Sequence, residues 1–101
     1  MFVISIKRLF DYLGNKLDKP EYEYFGYDKY AGSLSTGYPC WQDFYHAKTF
    51  ETTEEAKDVY MEELRYLACN WEAYDRDSIR ICKVKFKPAE KLPWRINNRD
   101  K

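Results

Sequence analysis

Phe2, Ile4 and Ile6 alternate with Val3, Ser5 and Lys7 at the start of the chain. A period of two belongs to a strand with one wholly apolar face, so this first strand is expected to be central or well covered. Leu9, Phe10 and Leu13 stay apolar without choosing between an extended strand and a helical turn. Gly14 and Asn15 then supply turn chemistry before a polar connection over residues 16–20. Tyr22 and Tyr24 alternate with Glu21 and Glu23, and Tyr27 and Tyr30 follow Gly26, which predicts a second strand over residues 21–30 with a bulge at the glycine. The small and polar residues of the 31–39 stretch predict a loop, flanked by Tyr30, Tyr38 and Trp41.

An aromatic-rich segment from Trp41 to Phe50 leads into the best-marked element. Thr52 and Glu55 have the spacing of a capping box, in which the threonine hydroxyl meets the Glu55 amide and the glutamate reaches back to the Thr52 amide. Glu54 and Glu55 in the first turn suit the positive end of a helix dipole. Ala56, Tyr60, Leu64, Leu67, Ala68 and Trp71 recur at helical spacing with Val59 beside them, and Glu55, Asp58, Glu62 and Arg65 lie opposite. The periodicity predicts one long amphipathic helix reaching Trp71. Residues 75–78 predict a turn into a strand over 79–87, with Cys82, Val84 and Phe86 on one face and Ile79 and Ile81 on the other. That change of phase implies a bulge or a strand covered on both sides. The fold expected is α+β: a three- to four-stranded antiparallel sheet with the helix packed on one face, in the order ββαβ or βββαβ.

With 101 residues there is chain for a single domain over 1–101, with residues 88–101 a partly ordered tail that folds back through Trp94 or projects as a contact segment. Ten tyrosines, three tryptophans and six phenylalanines are more rings than a core this small can hide, so part of the set is expected at the surface. Seventeen basic and seventeen acidic residues cancel overall, which excludes a uniformly basic nucleic-acid binder. The balance conceals a segregation. Residues 51–77 carry three basic groups against nine acidic ones, a net of −6, and residues 78–101 carry eight against two, a net of +6. Internal pairing and solvation of these charges is the leading expectation.

Cys40, Cys69 and Cys82 are odd in number and lack the C-x-x-C spacing, so neither a disulfide framework nor a zinc site is expected. Free thiols suit a reducing cytoplasm, and no signal-peptide core or membrane-length apolar run is visible. Cys40, Asp43 and the single histidine, His46, could be assembled on paper into a nucleophilic site, but their spacing matches no activating geometry. The carboxylate pairs Glu54–Glu55 and Glu62–Glu63 read as a solvated helix face. No dinucleotide or P-loop signature is present, so no cofactor is expected. Cations and rings interleave at Lys83, Lys85, Lys87, Lys91, Trp94 and Arg95, a pattern open to nucleic acid, with protection of a sheet edge the leading reading.

A short strand, a Gly/Ser loop, the runs Gly37–Trp41 and Ala47–Phe50, Thr53–Ala56 opening a helix and a lysine-alternating strand give residues 1–87 a pattern that resembles small phage and mobile-element accessory proteins. The resemblance implies a counter-defence role of the anti-CRISPR kind, in which a small protein binds and blocks a host complex in the host cytoplasm. The expected function is a non-enzymatic protein-binding module, with a host protein or protein complex as partner. Contacts are expected from Tyr27, Tyr30, Tyr38, Trp41, Glu55, Asp58 and Glu62. The alternative is nucleic-acid binding through Lys83, Lys85, Lys87, Lys91, Trp94 and Arg95. A homodimer is compatible with either, and no membrane partner is expected.

Overall fold

The computed structural model describes residues 1–28, 37–67, 69–85 and 89–93. Four strands, β1 (Phe2–Phe10), β2 (Lys16–Asp28), β3 (Tyr38–Gln42) and β4 (Tyr74–Lys83), form one antiparallel sheet in the order β3-β2-β1-β4. Among the described residues one α-helix, α1 (Thr53–Glu63), lies between β3 and β4 in the chain. The class is therefore mixed α+β with the order βββαβ.

β1 is central, as expected of a strand with one wholly apolar face, and Val3, Ile4, Ser5 and Ile6 are all buried. Asp11 closes the β1–β2 hairpin, its Oδ1 accepting the Leu13 and Asn15 amides, and Gly14 takes the left-handed conformation (φ 86°) that the turn needs. Residues 16–20, expected to be a connection, belong to β2. The register slips between the pairs Arg8–Glu21 and Phe10–Lys16, so Pro20 falls where no ladder donor is required. The bulge expected at Gly26 is absent, because that residue pairs in regular register with Cys40. Gly26 has another reason. A Cβ there would run into the backbone carbonyl of His46, which crosses over β2 at this point.

That crossing sets up the second half of the fold. β1 and β2 stop pairing beyond Ser5–Tyr24, and residues 47–50 enter the gap: Ala47 bridges Gly26, the Lys48 amide donates to the Phe25 carbonyl, and Phe2 and Phe50 exchange two hydrogen bonds. The chain so passes from the outer face of the sheet to the inner face, where Phe50 is buried and α1 begins. The Thr52 hydroxyl accepts the Glu55 amide at 3.0 Å, and Glu55 reaches back to the Glu51 amide, one residue before the cap. The inner face of Ile4, Ile6, Phe25, Trp41 and Phe50 packs against Ala56, Leu67, Ala73 and Tyr74, with Val59, Tyr60 and Trp71 around them. Tyr60 stands edge-on to Phe25 at 5.9 Å. Burial of a ring of this kind contributes on the order of 2–3 kcal/mol.

The helix is short rather than long. It has 11 residues and one further 3-10 turn, Leu64–Tyr66, before Leu67 turns extended with ψ 104°. Glu62 and Glu63 face the negative end of its dipole and no cation stands in the last turn, so the C-terminus lacks the charge that would prolong it. The apolar periodicity seen as far as Trp71 is realised instead by a second 3-10 turn, Trp71–Ala73, whose Asn70 side chain caps the Glu72 amide. The turn expected at residues 75–78 also differs, since these residues lie within β4. Lys7 pairs with Asp75 and Ser5 with Arg80, so turn-forming residues appear as a wide bulge, fixed by Ser78 Oγ accepting the Lys7 amide at 2.8 Å. Ile81 lies opposite Ile4 yet remains exposed, and Cys82 lies opposite Val3 and is half-buried, so the strand is not covered on both sides, and the bulge lies earlier, between the pairs Ser5–Arg80 and Lys7–Asp75. Arg80 donates to the Asp77 and Ile79 carbonyls and so occupies acceptors along an edge strand. No described helix is long and apolar enough to cross a membrane.

Candidate functional site

The contact residues expected from the sequence divide on folding. Trp41 is a core residue, 8 % exposed, on the inner face of β3 between Phe25, Tyr60, Trp71 and Tyr74. Pairing with Phe25 forces it inward, so it offers no surface to a partner. Tyr27 is half-buried beside the C-terminal end of α1. Burial and the charges of Glu63 and Glu62 hold its hydroxyl above the ordinary tyrosine range, so Tyr27 and Glu62 are near neighbours. Tyr38 is exposed at the sheet edge, and Glu55, Asp58 and Glu62 are exposed on the outer side of α1. Tyr30 lies outside the described residues.

Among the basic set, Lys83, Lys85 and Lys91 are exposed, and Lys87, Trp94 and Arg95 lie outside the described residues. Among the described residues the ion pairs are Arg8–Glu23 and His46–Asp43, neither of which joins α1 to β4.

His46 and Asp43 do meet, at 2.7 Å, within an exposed 3-10 turn that Asp43 caps. The Cys40 thiol instead accepts from Gln42 Nε2 at 3.0 Å, and burial raises its pKa, the reverse of what an activated thiolate needs. No group of three described His, Cys, Asp or Glu side chains is arranged to hold a metal ion.

Two features stand out in the folded molecule. The first is the outer face of the sheet, which no described helix covers. Val3 and Ser5 form the floor of a groove of about 340 Å³, walled by Tyr22, Tyr24, Phe44 and Val84, and the adjacent rim carries Met1 and Tyr45. Tyr24 and Phe44 stand edge to face at 5.3 Å. Tyr22, Phe44, Met1 and especially Tyr45, 93 % exposed, present their apolar surface to solvent. The alternation of Tyr22 and Tyr24 forecast a tyrosine-rich outer face. Phe44 and Tyr45 reach it only because the crossing over Gly26 brings them there.

The second feature is a cleft of about 770 Å³ on the inner face beyond the end of α1. Its floor is a polar network. Arg8, 7 % exposed, donates through Nη1 to Glu23 at 3.1 Å and to the Tyr74 hydroxyl at 2.8 Å, and through Nε to the Phe10 carbonyl at 2.7 Å. Tyr74 donates in turn to Glu23 at 2.7 Å. Burial and the hydrogen bond to Glu23 hold the Tyr74 hydroxyl far above the usual tyrosine range, so it remains a neutral donor. The Tyr12 ring lies over the guanidinium at 4.1 Å. Extending the period of Ile4 and Ile6 by two residues puts Arg8 on the same face, and a charge in an apolar row is the sequence signal that marks this network. Compared with known protein families, with curated proteins and with solved structures, the chain matches none of them.

Proposed function

We propose that the protein is a non-enzymatic binding module that acts by occupying a surface on a larger protein assembly, in the manner of phage and mobile-element counter-defence proteins. The observation that carries this reading is the outer face of the sheet: a groove floored by Val3 and rimmed by Tyr22, Phe44, Tyr45 and Met1, with no described helix laid across it. Exposed apolar patches rimmed by polar residues mark interaction sites, and tyrosine supplies rigid contact area at low entropic cost. The exposed carboxylates Glu55, Asp58 and Glu62, which make no ion pair with a described residue, add an acidic flank that favours a basic counterpart.

The test is affinity capture from a nuclease-treated bacterial lysate with the wild-type chain and with the Tyr22→Ala, Phe44→Ala double variant, both checked for native circular dichroism. A protein partner held in stoichiometric amount by the wild type and lost by the variant is the expected result. A partner kept undiminished by the variant overturns the outer-face reading. Retention of nucleic acid alone, falling steeply with salt, transfers the function to the basic strand of Lys83 and Lys85.

A further inference from the structure

β4 ends the sheet, and no described strand lies beyond it. The direction of its backbone groups follows from one bond. The Val84 amide donates to the Met1 carbonyl, and successive residues of an antiparallel strand turn their N–H and C=O groups to alternate sides. Cys82, like Val84, therefore faces β1, and Ile81 and Lys83 present their backbone groups along the open edge. Arg80 marks the same side, because its Nη1 donates at 2.8 Å to the Asp77 and Ile79 carbonyls. It closes the first half of the edge and stops short of Ile81 and Lys83.

The open half has a chemistry of its own. Ile81 is an apolar side chain 39 % exposed, and Lys83 and Lys85 are exposed cations that make no ion pair with a described residue. Cys82 and Val84, which alternate with them, line the outer-face groove. Two copies joined antiparallel over this stretch would set their lysines side by side, and like charges across strands repel. The same row attracts a strand that carries carboxylates.

We propose that this half-edge receives an extended acidic segment of the partner protein as a fifth strand, antiparallel to residues 81–85. Carboxylates of the segment lie opposite Lys83 and Lys85, and apolar side chains lie opposite Cys82 and Val84, on the groove side. Backbone bonds to Ile81 and Lys83 supply the attachment, and the alternation of acidic and apolar residues supplies the selectivity. A basic segment is repelled by the lysines, and a proline-rich one lacks the donors. The proposal rests on the binding-module reading but uses the sheet edge rather than Tyr22 and Phe44, so the two can be tested apart.

The probe is the peptide acetyl-Glu-Val-Glu-Val-Glu-amide, titrated into the full chain while the Ile81 and Lys83 amide resonances are followed. A saturable shift at both, with slowed hydrogen exchange, is expected. Acetyl-Lys-Val-Lys-Val-Lys-amide should bind about fivefold more weakly, as for two cross-strand charge pairs, and the Lys83→Glu, Lys85→Glu variant should reverse that preference. Both lysines are exposed and make no side-chain bond that the fold uses, so the variant keeps the native sheet. The acidic peptide methylated at its glutamate amides keeps the charge, loses the donors and should not bind. No shift, equal binding of the basic peptide, an unchanged preference in the variant, or undiminished binding of the methylated peptide overturns the proposal. So does a dimer of the chain alone that protects the same two amides. Absence of peptide binding beside successful capture rejects the edge alone. Peptide binding beside capture undiminished in the Tyr22→Ala, Phe44→Ala variant rejects the outer-face reading and leaves the edge standing.

Discussion

The inner face of the sheet is built in two ways along its length. Under α1 it is apolar and dry: Phe25, Phe50, Ala56 and Ile4 are almost wholly removed from solvent, and the rings of Phe25, Trp41 and Tyr60 stand within 6.4 Å of one another. Beyond the end of α1 the same strands carry Arg8, Glu23 and Tyr74, and their cover is a pair of 3-10 turns with a cleft between turn and hairpin. Side-chain chemistry follows the cover. Where a helix can exclude water the strands supply aromatic area, and where it cannot they supply a network whose members satisfy one another. A helix of 11 residues spans about 16 Å, too little to roof strands of 10 and 13 residues.

The strongest challenge to this comparison is Phe25→Ala in the covered half. At 0 % exposure it should cost about 4 kcal/mol, enough to bring a domain of this size close to unfolding, as read from the urea midpoint. A loss under about 1 kcal/mol would mean that this half is not the main core.

In the open half, Glu23→Ala leaves a buried guanidinium without its carboxylate and should cost about 3 kcal/mol, the low end for such pairs because Glu23 keeps some contact with water. Replacing the pair together, Arg8→Met with Glu23→Leu, in a Tyr74→Phe background that leaves no hydroxyl unpartnered, should fall within about 1 kcal/mol of that background. Equal damage from the single and the double substitution would show that the residues matter for shape rather than for charge.

The smallest expected effect is that of Tyr74→Phe, about 1.5 kcal/mol at neutral pH from the loss of hydrogen bonds to two charged groups. It also carries a pH signature. The folded state holds the Tyr74 proton above the ordinary value of 10.0, whereas the unfolded chain releases it there. The contribution of this group is therefore intact below pH 10 and declines as the pH rises beyond it. Denaturant melts at neutral pH and at about pH 11 should show a smaller alkaline loss in the variant than in wild type. Parallel losses would assign the alkaline weakness to other tyrosines.

What the sequence disclosed was local. The alternation of Phe2, Ile4 and Ile6, the turn at Gly14 and the Thr52–Glu55 cap each depend on residues within a few positions, and each is found in the fold. The end of α1 was hidden because Leu64, Leu67 and Trp71 keep a helical period that two 3-10 turns also satisfy. Residues 75–78 were legible as turn-formers but not as a bulge, since that depends on Lys7 being opposite them. The Arg8–Glu23–Tyr74 network joins positions 15, 51 and 66 residues apart, beyond the reach of any spacing rule. Trp41 looked like a surface ring because its neighbours are polar and small, and only its pairing with Phe25 turns it inward.

The passage of residues 47–50 between β1 and β2 also bears on how the molecule comes apart. Phe50 holds Phe2 by two hydrogen bonds and the Lys48 amide holds Phe25, while two residues past Phe50 the chain becomes the cap of α1. Lifting the helix away therefore draws the plug out of the sheet, and opening the two central strands releases the anchor of the helix. Layers that in a simpler topology would open separately are tied into one cooperative unit, with no low-energy route by which the helix leaves and the sheet remains.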